Sequence, residues 1–277
     1  MTLQIFSYEY FIQKSMELKR EEYMLPECSQ TLFDKVKKKL NIRKEITKEY
    51  SIKPTTLGKQ EEVIATLFKL FNKITEKTYD KLSVEIFLLI SHNISDSEKV
   101  CTNFFRVILN NSFFCHLYAK LYKGFILIIN DFSDVLDTHI SSYVNEITNI
   151  VYISPNEDYD KYCDYVKSVE SVKNFTSFLI QCLKQEVLQS GVLLDLAITF
   201  QTYSINGIDS EEKLLLNEIY ISNILIIVRD TYNEIRKNDG WYTFVTNHNL
   251  LTESRGCGKN RRINFNLLDI SELIDTR

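Results

Sequence analysis

Apolar residues recur three and four apart in one stretch of this chain after another, and the stretches are parted by only a few polar residues. From about Lys59, Val63, Leu67, Leu70, Phe71 and Ile74 form one stripe. After a break at Thr75-Glu76-Lys77, Leu82, Ile86, Leu89 and Ile90 form a second, Val100, Phe104, Phe105 and Ile108 a third, and Phe114, Leu117, Leu121 and Phe125 a fourth. That spacing is the period of an amphipathic α-helix. The rhythm predicts further helices over Val135–Tyr152, Tyr162–Leu188, Val192–Tyr203 and Leu214–Ile235. Ser95 to Glu98 reads as a capping box ahead of the third stripe. Only 7 Gly and 3 Pro in 277 residues leave little material for the turns of a β-sandwich. Helices of this length joined by short turns pack antiparallel with their neighbours. The expected fold is all-α: an α-solenoid of about five antiparallel helix pairs of the HEAT kind, preceded by a largely extended N-terminal segment with a short helix.

No apolar run reaches the roughly 18 residues of a membrane span; "FILIIN" at Phe125–Asn130 is too short. The N-terminus shows no basic region followed by an apolar core, so no signal peptide is expected and the cytosol is the expected compartment. The six cysteines are dispersed, and most fall in helical runs, which suits reduced, buried thiols. Net charge is −4, so the whole chain is no general nucleic-acid binder. The run "KVKKKLNIRKEITK" is strongly basic, however. It reads as a solvated linker, with Lys37, Lys38, Lys39, Arg43 and Lys44 as the candidate contacts to RNA phosphates.

Nothing in the sequence makes an active site. The four histidines, His92, His116, His139 and His248, lack the i,i+4 partners of a metal site. His116 reads as a core histidine of an apolar helix. "RGCGKNRR" at Arg255–Arg262 lacks phosphate-loop spacing and reads as a flexible basic loop. Asp158, Asp160 and Asp164 lack the glycine and terminal Glu of a calcium loop, and suit a helix start. No enzyme activity, cofactor or metal is expected.

Several segments in order resemble one family, the middle domain of eukaryotic translation initiation factor four-gamma. "LFNKITEKTYDKL" is similar to its L-N-K-L-T-P-E-x-F-x-x-L, and "FRVILNNSFFCHLYAKL" to F-x-x-A-x-x-E-P-x-F-x-x-x-Y-A-x-L at Phe105, Phe114, Tyr118, Ala119 and Leu121. "VKNFTSFLIQCL" echoes a third pair and keeps Asn174, and "RINFNLLDISEL" resembles R-I-R-F-M-L-Q-D-V-L-D-L from Arg262 to Leu273. Ile108 stands for a small Ala, Asn110-Asn111 for Glu-Pro and Asn264 for an arginine, and Lys237 to Lys259 has no counterpart that aligns. Near the N-terminus, Phe6 to Ile12 resembles Y-S-x-E-F-L-L, which folds into a short helix on the back of the cap-binding protein. Phe6, which lacks the tyrosine hydroxyl, Ser7, Glu9, Phe11, Ile12, Leu25 and Pro26 are the matching positions.

The resemblance implies residues 1–34 as a cap-binding-protein segment, 35–58 as a basic linker and 59–277 as a HEAT-repeat domain. It implies a scaffold that binds a DEAD-box initiation helicase of the four-A type, stimulates its ATPase cycle and links it to a cap-binding protein of the four-E type, with mRNA as a further contact. Ile52, Lys53, Pro54, Asn72 and Lys73 would touch one helicase lobe, and Arg262 and Phe265 the other. The chain is expected to be a monomer by itself with no membrane contact. Two other readings stay open: a helical adaptor in splicing, decay or poly(A)-binding-protein interaction, and an RNA-binding helical module. From the residues alone, Phe265 fits core packing, Asn72 helix capping, and Arg262 an exposed helix charge.

Overall fold

The computed structural model describes residues 59–93, 97–207, 213–254 and 260–275. The chain divides into two units, Met1–Thr56 and Leu57–Arg277, and all the described residues belong to the second. They form ten α-helices and no strand: α1 (Lys59–Phe71), α2 (Tyr79–Asn93), α3 (Ser97–Asn110), α4 (Cys115–Ile128), α5 (Asp131–Thr148), α6 (Tyr159–Lys184), α7 (Ser190–Asn206), α8 (Leu214–Ile235), α9 (Trp241–Glu253) and α10 (Arg261–Asp275). The expected N-terminal segment and the Ser95 capping box lie outside the described residues.

Helices pack mainly on those one or two places away in sequence: α1 on α2 and α3, α2 on α4, α7 on α8 and α9, α8 on α10. The 26-residue α6 bridges the series, resting on α3 and α4 on one side and α8 on the other. A chain of nearest-neighbour contacts around a continuous core is the architecture of an all-α helical-repeat array. At the α1–α6 end the core is aromatic. Phe104 meets Phe71 edge-on at 5.1 Å, Phe125 at 5.2 Å, Tyr118 at 5.8 Å and Phe178 at 6.2 Å, so one ring joins α1, α3, α4 and α6.

Helix ends leave carbonyls without intrahelical partners, and buried side chains satisfy several of them. The Tyr118 hydroxyl donates to the Phe71 carbonyl at the end of α1 (3.3 Å), and Asn174 Nδ2 to the Leu109 carbonyl near the end of α3 (2.9 Å). The Tyr122 hydroxyl donates to the Phe132 carbonyl in the first turn of α5 at 2.6 Å, a buried tie between α4 and α5 rather than a cap. Gly124 sits where α4 meets α2, and a Cβ there would lie 2.3 Å from Phe87 Cζ. This close approach is the physical reason for a glycine inside a helix.

Several boundaries differ from the sequence reading. The fifth helix ends at Thr148, not Tyr152, because Val151 and Tyr152 are exposed and do not extend the buried stripe. α6 begins at Tyr159, where the Asp158 carboxylate accepts the Lys161 N–H at 3.1 Å, as a helix-start aspartate should. It stops at Lys184 rather than Leu188. Glu186 there adopts a left-handed φ of 62°, and the Val187 N–H turns back to the Cys182 carbonyl at 2.9 Å. α7 is longer than read, from Ser190 to Asn206, and α8 kinks at Thr231, whose hydroxyl takes the Ile227 carbonyl at 2.7 Å. His116 is not a core histidine: it is exposed, with Nε2 3.2 Å from Glu76 Oε1. The buried histidine is His248, at 2 % exposure. Cys101, Cys115 and Cys182 are buried free thiols, and burial pushes the first two up to about 12 and the third well above its ordinary value.

Candidate functional site

The last helix is held on three sides and open on the fourth. Asn260 begins it, accepting the N–H groups of Arg262 (3.0 Å) and Ile263 (3.4 Å) on Oδ1, a side-chain N-cap. Ile263, Leu267 and Ile270 follow at spacings of four and three, and all are buried. Each such side chain contributes about 2 kcal/mol by leaving water. Around this apolar seam run polar ties to α8. Arg262 Nη1 is 2.8 Å from Glu218 Oε1, Asn260 Nδ2 donates to Glu218 Oε2 (3.3 Å), and Asn266 Nδ2 donates to Ser222 Oγ (3.1 Å). His248 of α9 closes the other flank, with Nε2 2.8 Å from Ser271 Oγ.

The Ser271 hydroxyl itself donates to the Leu267 carbonyl at 3.1 Å, so His248 supplies the proton at Nε2 and its Nδ1 is buried with no partner. Burial holds the imidazole down at about 4, against a smaller opposing pull from Asp275. A neutral histidine therefore pins α9 to α10.

The fourth side of α10 faces solvent along Arg261, Phe265, Leu268 and Glu272. Phe265 is 65 % exposed and Leu268 63 %. These are two large apolar side chains one turn apart, with Arg261 and Arg262 before them and Asp269 and Glu272 after. The core-packing reading of Phe265 is thus corrected: Ile263, Leu267 and Ile270 take the core face and Phe265 lies across the helix from them. "RGCGKNRR" is corrected at its end, because Arg261 and Arg262 belong to α10; residues 255–259 lie outside the described set.

At the opposite end of the array, Asn72 and Lys73 are exposed in the α1–α2 turn. Asn72 Nδ2 donates to the Phe68 carbonyl at 2.9 Å, the capping role read for it. The turn is fixed by buried Ile74 and by Thr78, whose hydroxyl donates to the Lys73 carbonyl (2.7 Å) and accepts the Thr75 N–H (2.9 Å). From α1 the contacts run through α3, α6 and α8 to α10. Asn72 and Lys73 thus lie four helix-to-helix contacts away from Arg262 and Phe265 along that path. Phe6, Ser7, Glu9, Phe11, Ile12, Leu25, Pro26, Lys37, Lys38, Lys39, Arg43, Lys44, Ile52, Lys53 and Pro54 all lie outside the described residues.

Sequence reasoning missed Leu268 and Glu218. Leu268 is legible from its place three residues after Phe265 on the face opposite the core stripe. Glu218 has no such signal, because its role depends on α8 and α10 meeting. Beside the Arg262–Glu218 pair opens a cleft of about 250 Å³ between α6 and α8, lined by Tyr162, Tyr165 and Lys173 among others. Burial raises the Tyr165 phenol, Glu218 adds to the rise, and Arg262 opposes it. Among the described residues no group of His, Cys, Asp and Glu is placed to hold a metal ion, and no helix is long and apolar enough to cross a membrane. In comparisons with known proteins, no family model matches the chain, and no curated protein matches it in sequence.

Proposed function

We propose that this chain is a cytosolic translation-initiation scaffold. Its helical array holds a DEAD-box RNA helicase of the initiation type at two points, the α1–α2 turn with Asn72 and Lys73, and the α10 stripe with Arg262, Phe265 and Leu268. Residues 1–34 link the helicase to a cap-binding protein, and the chain does no chemistry itself. The observation that carries this reading is the exposure of Phe265 beside Leu268 on α10, at the segment whose sequence resembles a helicase-contacting motif.

The physical gain is tethering. Two lobes gripped by one rigid array keep a high effective concentration for each other, and the opening and closing that limits turnover is confined to a narrow range. Contacts on the first turn and the last helix of one array, four packing steps apart, suit two lobes of a protein better than a single small ligand. The test is the RNA-dependent ATPase rate of the helicase with and without the full chain, and with Phe265 replaced.

A further inference from the structure

α6 changes character at its midpoint. From Val172 onward it is built into the core, with Val172, Phe175, Phe178 and Leu179 among its buried side chains. Its polar ties there reach three other helices. The Val172 carbonyl accepts the Tyr143 hydroxyl of α5 (2.7 Å), Asn174 Nδ2 donates to the Leu109 carbonyl of α3 (2.9 Å), and the Thr176 hydroxyl donates to Asn223 Oδ1 of α8 (2.8 Å).

The first half, residues 159–171, has no such anchorage. None of its side chains is buried, and Tyr159 and Val166 face solvent. Among the described residues, its side-chain hydrogen bonds and ion pairs stay within the segment and its cap. They join Lys161 to Asp158 (3.2 Å), Lys167 to Asp164 (3.1 Å), and the Ser168 hydroxyl to the Asp164 carbonyl (2.9 Å). The rings of Tyr162 and Tyr165 meet Tyr152 at 6.4 and 5.2 Å, but Tyr152 belongs to the loop leading into α6 and is itself exposed. Half-buried Val169 packs against the core close to the boundary with Val172.

Helix propensity does not compensate. Lys161, Lys167 and Glu170 are strong helix formers, and the other positions are Tyr, Asp, Val, Ser and Cys. A helix of this length is marginal in water unless it packs. Where the later half of α6 has packed neighbours, this half faces the cleft of about 250 Å³. Tyr162, Tyr165 and Val166 form one wall of it, and Glu218 and Ile219 of α8, with Arg262 of α10, form the other.

We propose that residues 159–171 are a gate on this cleft, opening as one unit while Val172–Lys184 stays in the core. Segments with few buried contacts open at a fraction of the free energy of global unfolding. The closed gate covers buried Ile219, and the open gate leaves Ile219 and the Arg262–Glu218 pair accessible. This inference stands on burial and bonding within the chain and holds with or without a helicase partner.

Hydrogen exchange of the full chain, read peptide by peptide in a mass spectrometer, tests it. Amides of residues 162–171 should exchange roughly a hundredfold or more faster than those of 174–183. Ser168→Pro, at an exposed position, removes a helix hydrogen bond and crowds the preceding turn. It should strip the remaining protection from 162–167, leave 174–183 unchanged, and keep the melting temperature within about 3 °C. In Ile219→Cys, checked for fold by circular dichroism, the new thiol should react with iodoacetamide at a rate that Ser168→Pro raises by roughly tenfold or more. Equal protection of the two halves, loss of protection in both halves on Ser168→Pro, or thiol labelling that Ser168→Pro does not change overturns the proposal.

Discussion

Arg262 Nη1 stands 2.8 Å from Glu218 Oε1, so the arginine that the sequence offers as a free surface charge is bound across the α8–α10 seam. Glu218 also accepts from Asn260, the residue that caps α10. One carboxylate thereby ties both the capping residue of the last helix and its second arginine to α8.

Substitution at Arg262 will therefore change stability as well as binding. The pair is half in water, so its net value is about 0.5–1 kcal/mol. Arg262→Gln should lose that amount, and Arg262→Glu about 1–2 kcal/mol, since it sets two carboxylates against each other. Urea denaturation of both variants measures this. Equal midpoints for wild type and Arg262→Glu would show that the pair contributes nothing.

His248 predicts the acid behaviour of the array. Its folded value is depressed to about 4 by burial, while an unfolded histidine titrates near 6.5. Between those values the unfolded chain takes up a proton that the folded chain refuses. Stability from this site is therefore full above about pH 6.5, falls as pH drops through the window, and is lost near pH 4, a change on the order of 2–3 kcal/mol. Burial lowers His139 as well, with the same sign. His248→Gln, whose amide nitrogen can still meet Ser271, should flatten the stability profile between pH 7 and 4.5. An identical slope in the variant would place the acid sensitivity elsewhere.

The contact of Gly124 with the Phe87 ring gives a paired prediction. Gly124→Ala gains helix propensity but drives a methyl into the ring, and the overpacking should cost about 1–3 kcal/mol. Phe87→Leu in the same chain makes room and should recover part of that loss. A double-mutant cycle reads the coupling, and additive effects would deny the contact.

Helix-in-groove capture by the N-terminal segment would rest on its aromatic and aliphatic anchors. Phe6→Ala with Phe11→Ala is expected to abolish retention of a cap-binding protein in a pull-down while leaving helicase binding unchanged. Retention equal to that of the unaltered chain would remove the N-terminal half of the proposal.

Much of the fold was legible because its signal is local. Leu214–Ile235 was bounded correctly, whereas in α10 the core face belongs to Ile263, Leu267 and Ile270 and not to Phe265. α9 was not legible. Its buried positions, Phe244, His248 and Leu251, keep the right spacing, but a histidine in the middle breaks the apolar stripe. His116 misled in the opposite way. Buried Cys115, Leu117 and Tyr118 surround it in sequence, yet helical spacing groups it with exposed Lys120. Asn174 was noticed for its resemblance to a family position, but its bond to the Leu109 carbonyl joins residues 65 apart and has no local sign. The same holds for Glu218 and Arg262, which lie on helices that meet only after folding.

The central claim is that the array grips a DEAD-box helicase through Phe265 and its neighbours. The most direct measurement is the steady-state RNA-dependent ATPase rate of the initiation helicase from the same source, with the full chain and with Phe265→Asp. Phe265 is exposed, so this change should leave the melting temperature within about 2 °C. The account predicts clear stimulation by the unaltered chain and loss of most of it in the variant. No stimulation, or equal stimulation by both, would contradict it.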